Sequence, residues 1–275
     1  MRILLVFLLL VARVSVAQEL YVSSEPASNM PAKSIGIRLN NYIMPSLVNR
    51  SMYRFNPELM WGISKKIMLH LNIYASNIHQ TNFRAEGAGL YLKYRFLSRD
   101  FDKKHFRMAA YLKGSIVKNH IHYDEINLSG DNTGINGGIV ATQLIRKLAV
   151  SFTGGYIHAF DNPGENLTNN HSHDKAIRSL NGSLSGGYLL FPVRYKNYNQ
   201  PNLNVYAEFL AKTNPGSNAY FIDFVPAIQL IFKSKMRLDL AYRRQIAGDM
   251  LRIKKEIVLK FEYNFFNAYK GKNKK

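Results

Sequence analysis

Two short arrays carry the residues best suited to chemistry: His120-Ile121-His122-Tyr123-Asp124-Glu125 and His171-Ser172-His173-Asp174. In an extended chain, residues two apart share a face, so each His-x-His sets two imidazoles side by side. Imidazole nitrogens beside a carboxylate suit zinc or copper. The candidate metal set is therefore His120, His122, Asp124, His171, His173 and Asp174. The plainer reading is two polar loops in which histidine is an ordinary residue. No other cofactor is indicated.

A second set recurs at period two along apolar–polar stretches. Arg38, Arg54, Glu58, Lys93, Arg95, Arg107 and Lys113 share the polar face in the first half of the chain. Glu208, Asp223, Arg237, Asp239, Arg243, Glu256, Lys260 and Glu262 do so in the second. If the apolar face meets lipid, these charges line a lumen that is basic on one side and mixed on the other, favouring anions. Alternatively, opposite charges pair across neighbouring strands and fill the lumen.

Nucleophilic chemistry has little support. Cysteine is absent, which excludes thiolate catalysis, a disulfide framework and a lipid-anchored N-terminal Cys. A His-x-Ser pair on a strand would let the imidazole take the serine proton. No histidine here is followed by serine at that spacing; His79-Gln80-Thr81 supplies the nearest hydroxyl. Glycine pairs such as Gly137-Gly138 and Gly154-Gly155 lie inside strand-like stretches. They let a strand bend or make room for a large neighbour such as tyrosine. An enzyme is not expected.

The elements that would hold these residues are strands. Ile35, Ile37 and Leu39 alternate with Gly36, Arg38 and Asn40; Leu90, Leu92 and Tyr94 with Tyr91, Lys93 and Arg95; Ile257, Leu259 and Phe261 with Glu256, Lys260 and Glu262. About a dozen such stretches follow one another, with 133–145 strand-like but ambiguous in face. Connections at 64–66, 98–104, 146–147, 193–201 and 234–235 are mostly short. Those at 43–52, 78–85, 118–132 and 161–177 are mostly longer and richer in Asn, Gly and Asp. This predicts an all-β chain: a transmembrane, antiparallel, up-and-down β-barrel of about 12 strands, porin-like in plan. The competing fold is a soluble lipocalin-like barrel, which turns its apolar face inward. Period alone does not separate the two.

The beginning of the chain favours the membrane reading. Met1 and Arg2 precede an apolar block from Ile3 to Ala12, and Ser15-Val16-Ala17 places small residues before a cut at Gln18. This is a secretory signal, 1–17, too short to span a bilayer as a helix. The expected organisation continues with a periplasmic N-terminal segment at 18–32, free or folded into the barrel as a plug. The barrel follows at 33–266, then a basic tail at 267–275.

The formal net charge is +19, and the chain has 17 Tyr and 16 Phe against one Trp. Basic residues gather in the short connections: Lys65-Lys66, Lys103-Lys104, Arg146-Lys147, Lys233 with Lys235, and the tail. They read as a solvated, phosphate-facing rim.

The stretch Gln18-Glu19-Leu20-Tyr21-Val22, with Ser24-Glu25-Pro26-Ala27-Ser28-Asn29-Met30-Pro31 after it, resembles the start of a family of signal-bearing outer-membrane β-barrels regarded as transporters or without assigned role. The resemblance implies the location, the outer membrane of a Gram-negative cell, and the fold. It brings no substrate. The expected function is a channel or transporter for small polar, and in particular anionic, solutes. The alternatives are a surface metal-binding barrel built on the histidine loops and a closed structural barrel. Expected partners are outer-membrane lipid and lipopolysaccharide, a small solute and the barrel-assembly machinery, with no nucleic acid.

Overall fold

Period-two alternation becomes twelve strands in a computed structural model, which describes residues 21–45, 51–119, 123–160, 176–193 and 199–269. The strands are β1 (Ser34–Met44), β2 (Met52–Gly62), β3 (Ile67–Ser76), β4 (Arg84–Phe101), β5 (Lys104–Val117) and β6 (Gly134–Ile145). They continue with β7 (Leu148–Ala159), β8 (Arg178–Phe191), β9 (Asn202–Thr213), β10 (Tyr220–Phe232), β11 (Met236–Gly248) and β12 (Lys255–Phe265). Each pairs antiparallel with its sequence neighbours, and β1 pairs with β12, so the sheet closes without an edge.

The faces decide between the two barrels. Ile73, Leu112, Phe152 and Leu240 point outward and are 56, 53, 60 and 50% exposed. Arg38, Lys93, Glu208 and Asp239 point inward and are 2, 0, 0 and 0% exposed. Apolar out and polar in suits lipid outside; a soluble barrel has the reverse. Exposed aromatics mark the strand ends: Trp61, Phe101, Phe191 and Phe265 at the short-turn end, Tyr156 and Tyr220 towards the other.

Several turn residues carry an unusual backbone. Lys33, Lys103, Arg146 and Lys233 all have φ between 51 and 63°. Residues with a Cβ pay about 1–2 kcal/mol for that left-handed conformation, which usually goes to Gly or Asn. Lys103 and Arg146 sit in the two-residue connections β4–β5 and β6–β7.

Two strands explain ambiguities of the sequence. In β6, Val140 and Thr142 are buried while Ile135, Ile139 and Ile145 are exposed. Its inward face therefore carries an apolar residue, which blurred the pattern. In β4 a register shift between Arg95 and Leu97 breaks the alternation. The strand runs on to Phe101, so the β4–β5 connection is 102–103 rather than 98–104.

The inner wall is uneven. Charged side chains come from β1, β2, β4, β5 and β9–β12, with His70 from β3. The inner face of β6–β8 is built from small or uncharged residues, among them Gly138, Ser151, Thr153, Gly155, Ser183 and Ser185. Tyr111 of β5 exploits this. A Cβ at Gly155 would lie 2.3 Å from the Tyr111 hydroxyl oxygen; one at Gly138 would lie 2.7 Å from it and nearer still, at 2.3 Å, to the backbone Gly154 O. The two glycines thus leave room for the phenol, whose ring stacks on Tyr91 with centroids 5.7 Å apart.

Candidate functional site

The lumen is occupied from both ends. Of the 18–32 segment, residues 21–32 run inside the barrel, with Tyr21, Val22, Ser24, Ala27, Asn29 and Met30 buried. The segment lacks regular structure, so its backbone groups need partners from the wall. Glu208 supplies the largest share. Its carboxylate accepts from the amides of Val22, Ser23 and Ser24 at 3.0, 2.8 and 2.9 Å, and from the Ser24 hydroxyl at 2.6 Å. The carbonyls face cations: Lys260 Nζ donates to Val22 O, Lys93 Nζ to Pro26 O and Ser28 O, all at 2.8 Å. Arg237 Nη2 donates to Tyr21 O at 2.8 Å, and Arg107 Nη1 to Ser28 Oγ at 3.0 Å. From Tyr21 to Ser28, then, wall acceptors meet amides and wall cations meet oxygens of the segment.

Arg38 joins plug and wall. It bonds Glu262 at 2.9 Å and Glu58 at 3.4 Å, its register partners on β12 and β2, and Glu25 of the plug at 2.6 Å. Glu58 also pairs with His70. Among the described residues, Glu25, Glu58 and His70 have the spacing of a metal site. With Arg38 on both carboxylates and Lys93 Nζ 3.8 Å from Glu25, their negative charge is already compensated. The cluster works as an ion-pair network.

From the other end, residues 123–133 of the β5–β6 connection fold inward, burying Ile126 and Leu128 against Ile157 and Ala159. Asp131 pairs with Arg54, and His79 Nε2 lies 2.7 Å from it. Glu125 meets Lys212 at 2.9 Å and Arg252 at 2.6 Å. Burial alone would raise both carboxyls, but the cations outweigh it. Arg54 and His79 bring Asp131 down to about 2, and Lys212, Arg252 and Arg243 hold Glu125 well below the usual carboxylate range.

The fifteen charges expected at the lumen thus fall into groups, with Arg54 already placed on Asp131. Lys93, Arg107, Glu208, Arg237 and Lys260 grip the plug. Arg38, Glu58 and Glu262 form the seam network, which Arg237 extends through Asp239 at 2.7 Å. Asp223 and Glu256 bind Arg243 at 2.5 and 3.0 Å. Lys113 Nζ donates to Ser129 Oγ of the inward connection at 2.6 Å. Arg95 stands apart: half-exposed, it donates to Lys65 O at 2.7 Å, near the short-turn rim.

Of the expected metal residues, His120, His122, His171, His173 and Asp174 lie outside the described residues. Asp124 is a staple, accepting from Leu251 N at 3.1 Å. Arg252 and Asp131, central here, escaped the sequence reading because both lie in connections without periodicity. The only hint was the apolar pair Ile126 and Leu128 inside a polar loop.

Between plug and inward connection lies a polar cavity of about 340 Å³. Ser24 and Glu25 form its floor, Glu125 and Ser129 its roof, and Tyr91 and Asn181 part of its walls.

The COG4313 outer membrane channel from Pseudomonas putida F1 superposes with a TM-score of 0.56 at 13% identity, covering 89% of this chain and 100% of that one. The fold is that of an outer-membrane β-barrel channel. The KdgM porin gives a TM-score of 0.46 at 8% identity over 84% of this chain and 99% of that one, too low to add to the argument. At these identities the likeness speaks for fold alone. No protein-family model and no curated protein matches the sequence.

Proposed function

We propose that the chain is an outer-membrane channel for small polar solutes, preferring anions, and that its N-terminal segment holds it shut. The observation that carries this reading is the polar cavity between the segment and the inward connection. It is a stretch of lumen interrupted by non-covalent contacts rather than a core filled by wall side chains. The plug also masks wall charge. Withdrawing residues 21–32 bares Lys93, Arg107 and Lys260, whose partners in the segment are oxygens of Val22, Glu25, Pro26 and Ser28. A basic lining favours anions.

On this reading residues 1–17 are removed on export and the barrel-assembly machinery inserts the mature chain. Lipid and lipopolysaccharide then meet its apolar belt. The test is single-channel recording in planar bilayers under a salt gradient, comparing the mature chain with one lacking residues 18–32. The expected result is rare or no steps for the first, and frequent steps with an anion-shifted reversal potential for the second. Silence from both, with folding verified by heat-dependent gel mobility, would favour a closed structural barrel. The dense ion pairing around Arg38, Arg243 and Arg252 supports that second reading.

A further inference from the structure

The short-turn end of the barrel carries a ring of cations that the lumen does not use. Lys33 precedes β1, Lys65 and Lys66 join β2 to β3, and Lys103 joins β4 to β5. Arg146 joins β6 to β7, and Lys233 and Lys235 join β10 to β11. All seven are exposed. Arg99 and Lys104, also exposed, extend the set onto the ends of β4 and β5. Against them, at this end, stand Asp100, bonded by His105 and Arg107, and Asp102, 3.8 Å from Lys103.

Three features give the ring a meaning beyond solubility. First, four of its members, Lys33, Lys103, Arg146 and Lys233, hold left-handed turn positions that Gly or Asn fills with less strain. Strain accepted at a turn points to a role for the side chain. Second, the ring runs round the barrel: four of the five short connections carry it, and part of the fifth, β8–β9, lies outside the described residues. A protein partner would touch one sector; a planar leaflet touches every turn. Third, the ring sits directly beyond the outward aromatics Trp61, Phe101, Phe191 and Phe265, the depth at which lipid phosphates lie. At the opposite end Arg54 and Arg252 turn inward to Asp131, Glu125 and Asp223, while Lys118, Arg178, Arg244, Lys254 and Lys255 are exposed there as well, mostly at strand ends rather than in tight turns.

We infer that the short-turn rim is a binding surface for anionic phospholipid headgroups of the leaflet it faces. This rests on the membrane-spanning fold and is independent of whether the lumen conducts. Each exposed cation near such a surface is attracted to phosphate and falls out of reach within a Debye length, so the binding is salt-sensitive.

The chain supplies its own reporter. Trp61 is the single tryptophan, faces outward with 41% exposure, and lies four residues before Lys65. The full mature chain is refolded into phosphatidylcholine vesicles carrying equal fractions of brominated phosphatidylglycerol or brominated phosphatidylcholine, and Trp61 quenching is read. At low salt the phosphatidylglycerol probe is expected to quench about twofold more strongly. High salt should restore parity, as should the double substitution Lys65→Gln with Lys66→Gln. The salt arm uses the unaltered chain, so it stands even if the double variant refolds poorly. Equal quenching by both lipids at low salt, or a preference that salt leaves untouched, overturns the proposal. Equal quenching would leave the cations to an acidic protein partner.

Discussion

Glu208 and Ser24 are joined twice: the Ser24 amide donates to the carboxylate at 2.9 Å and the Ser24 hydroxyl at 2.6 Å. The same carboxylate takes the two preceding amides. One wall residue therefore satisfies three consecutive backbone donors of a segment that has no secondary structure to do so. Removing it leaves the buried amides of Val22 and Ser24 unpaired, each at about 1–3 kcal/mol, and turns the more exposed amide of Ser23 to water.

Glu208→Ala should accordingly loosen the plug without opening the wall, since among the described residues Glu208 forms no salt bridge across the sheet. The chain has no cysteine, so Ala27→Cys introduces a unique thiol at a plug position that is fully buried in the closed state. Maleimide labelling of that thiol in the refolded barrel should be slow in the parent and at least about tenfold faster with Glu208→Ala, a shift of about 1.4 kcal/mol in the closed–open equilibrium. Equal labelling rates would show that Glu208 does not hold the segment.

Arg38 should behave differently, because it serves wall and plug together. Arg38→Met strands Glu58, Glu262 and Glu25 in a buried setting. Breaking a buried pair from one side costs about 3–5 kcal/mol. Denaturant unfolding in vesicles should show a loss of that order, and a loss under about 1 kcal/mol would mean that water already solvates the network.

The glycine pair offers a rescue experiment. Gly155→Ala places a methyl 2.3 Å from the Tyr111 hydroxyl oxygen and should cost about 1–3 kcal/mol by overpacking. Adding Tyr111→Phe removes the atom in conflict and should recover most of that loss. A double variant no more stable than Gly155→Ala would show that strand curvature, not the phenol, requires glycine there.

The inward connection should respond to acid. Asp131 has its carboxyl lowered to about 2 from an ordinary 3.8. A depressed carboxyl contributes stability that is complete above its unfolded value and is lost as pH falls through the folded one. The Arg54–Asp131 clasp should therefore hold at neutral pH and release only as pH drops from about 4 towards 2. Proteolysis of the 118–133 connection by an acid-active protease should rise across that window. Asp131→Asn should make the connection susceptible already at pH 5.

The barrel wall was legible because its information is in side-chain order. Leu90, Leu92 and Tyr94 against Tyr91, Lys93 and Arg95 state a strand and its two faces. Twelve such stretches with alternating connection lengths state closure. The faces failed to read only at β6, where Val140 turns inward, and at β4, where a bulge resets the period. The sequence left the N-terminal segment free or folded in as a plug, since its docking uses the amides of Val22 and Ser23 and the carbonyls of Pro26 and Ser28, groups every sequence has. The lumen charges were read as facing inward, but their partners were not. Lys93 and Lys260 were expected to line a pore, and they bind main-chain oxygens of residues far away in sequence.

The uneven wall described above gives the bore a handed cross-section. Charges reach in from β1, β2, β4, β5 and β9–β12, while β6–β8 offer glycine, serine and threonine. Once the plug is out, a passing solute's track runs between two unlike surfaces: backbone and hydroxyls along β6–β8, with the Tyr111 phenol over Gly138 and Gly155, and cations on the facing arcs. A solute on that track would be steered by field and wetted by hydroxyls, so bulk should be filtered at β6–β8 and charge at the facing arcs, by different residues that can be altered separately.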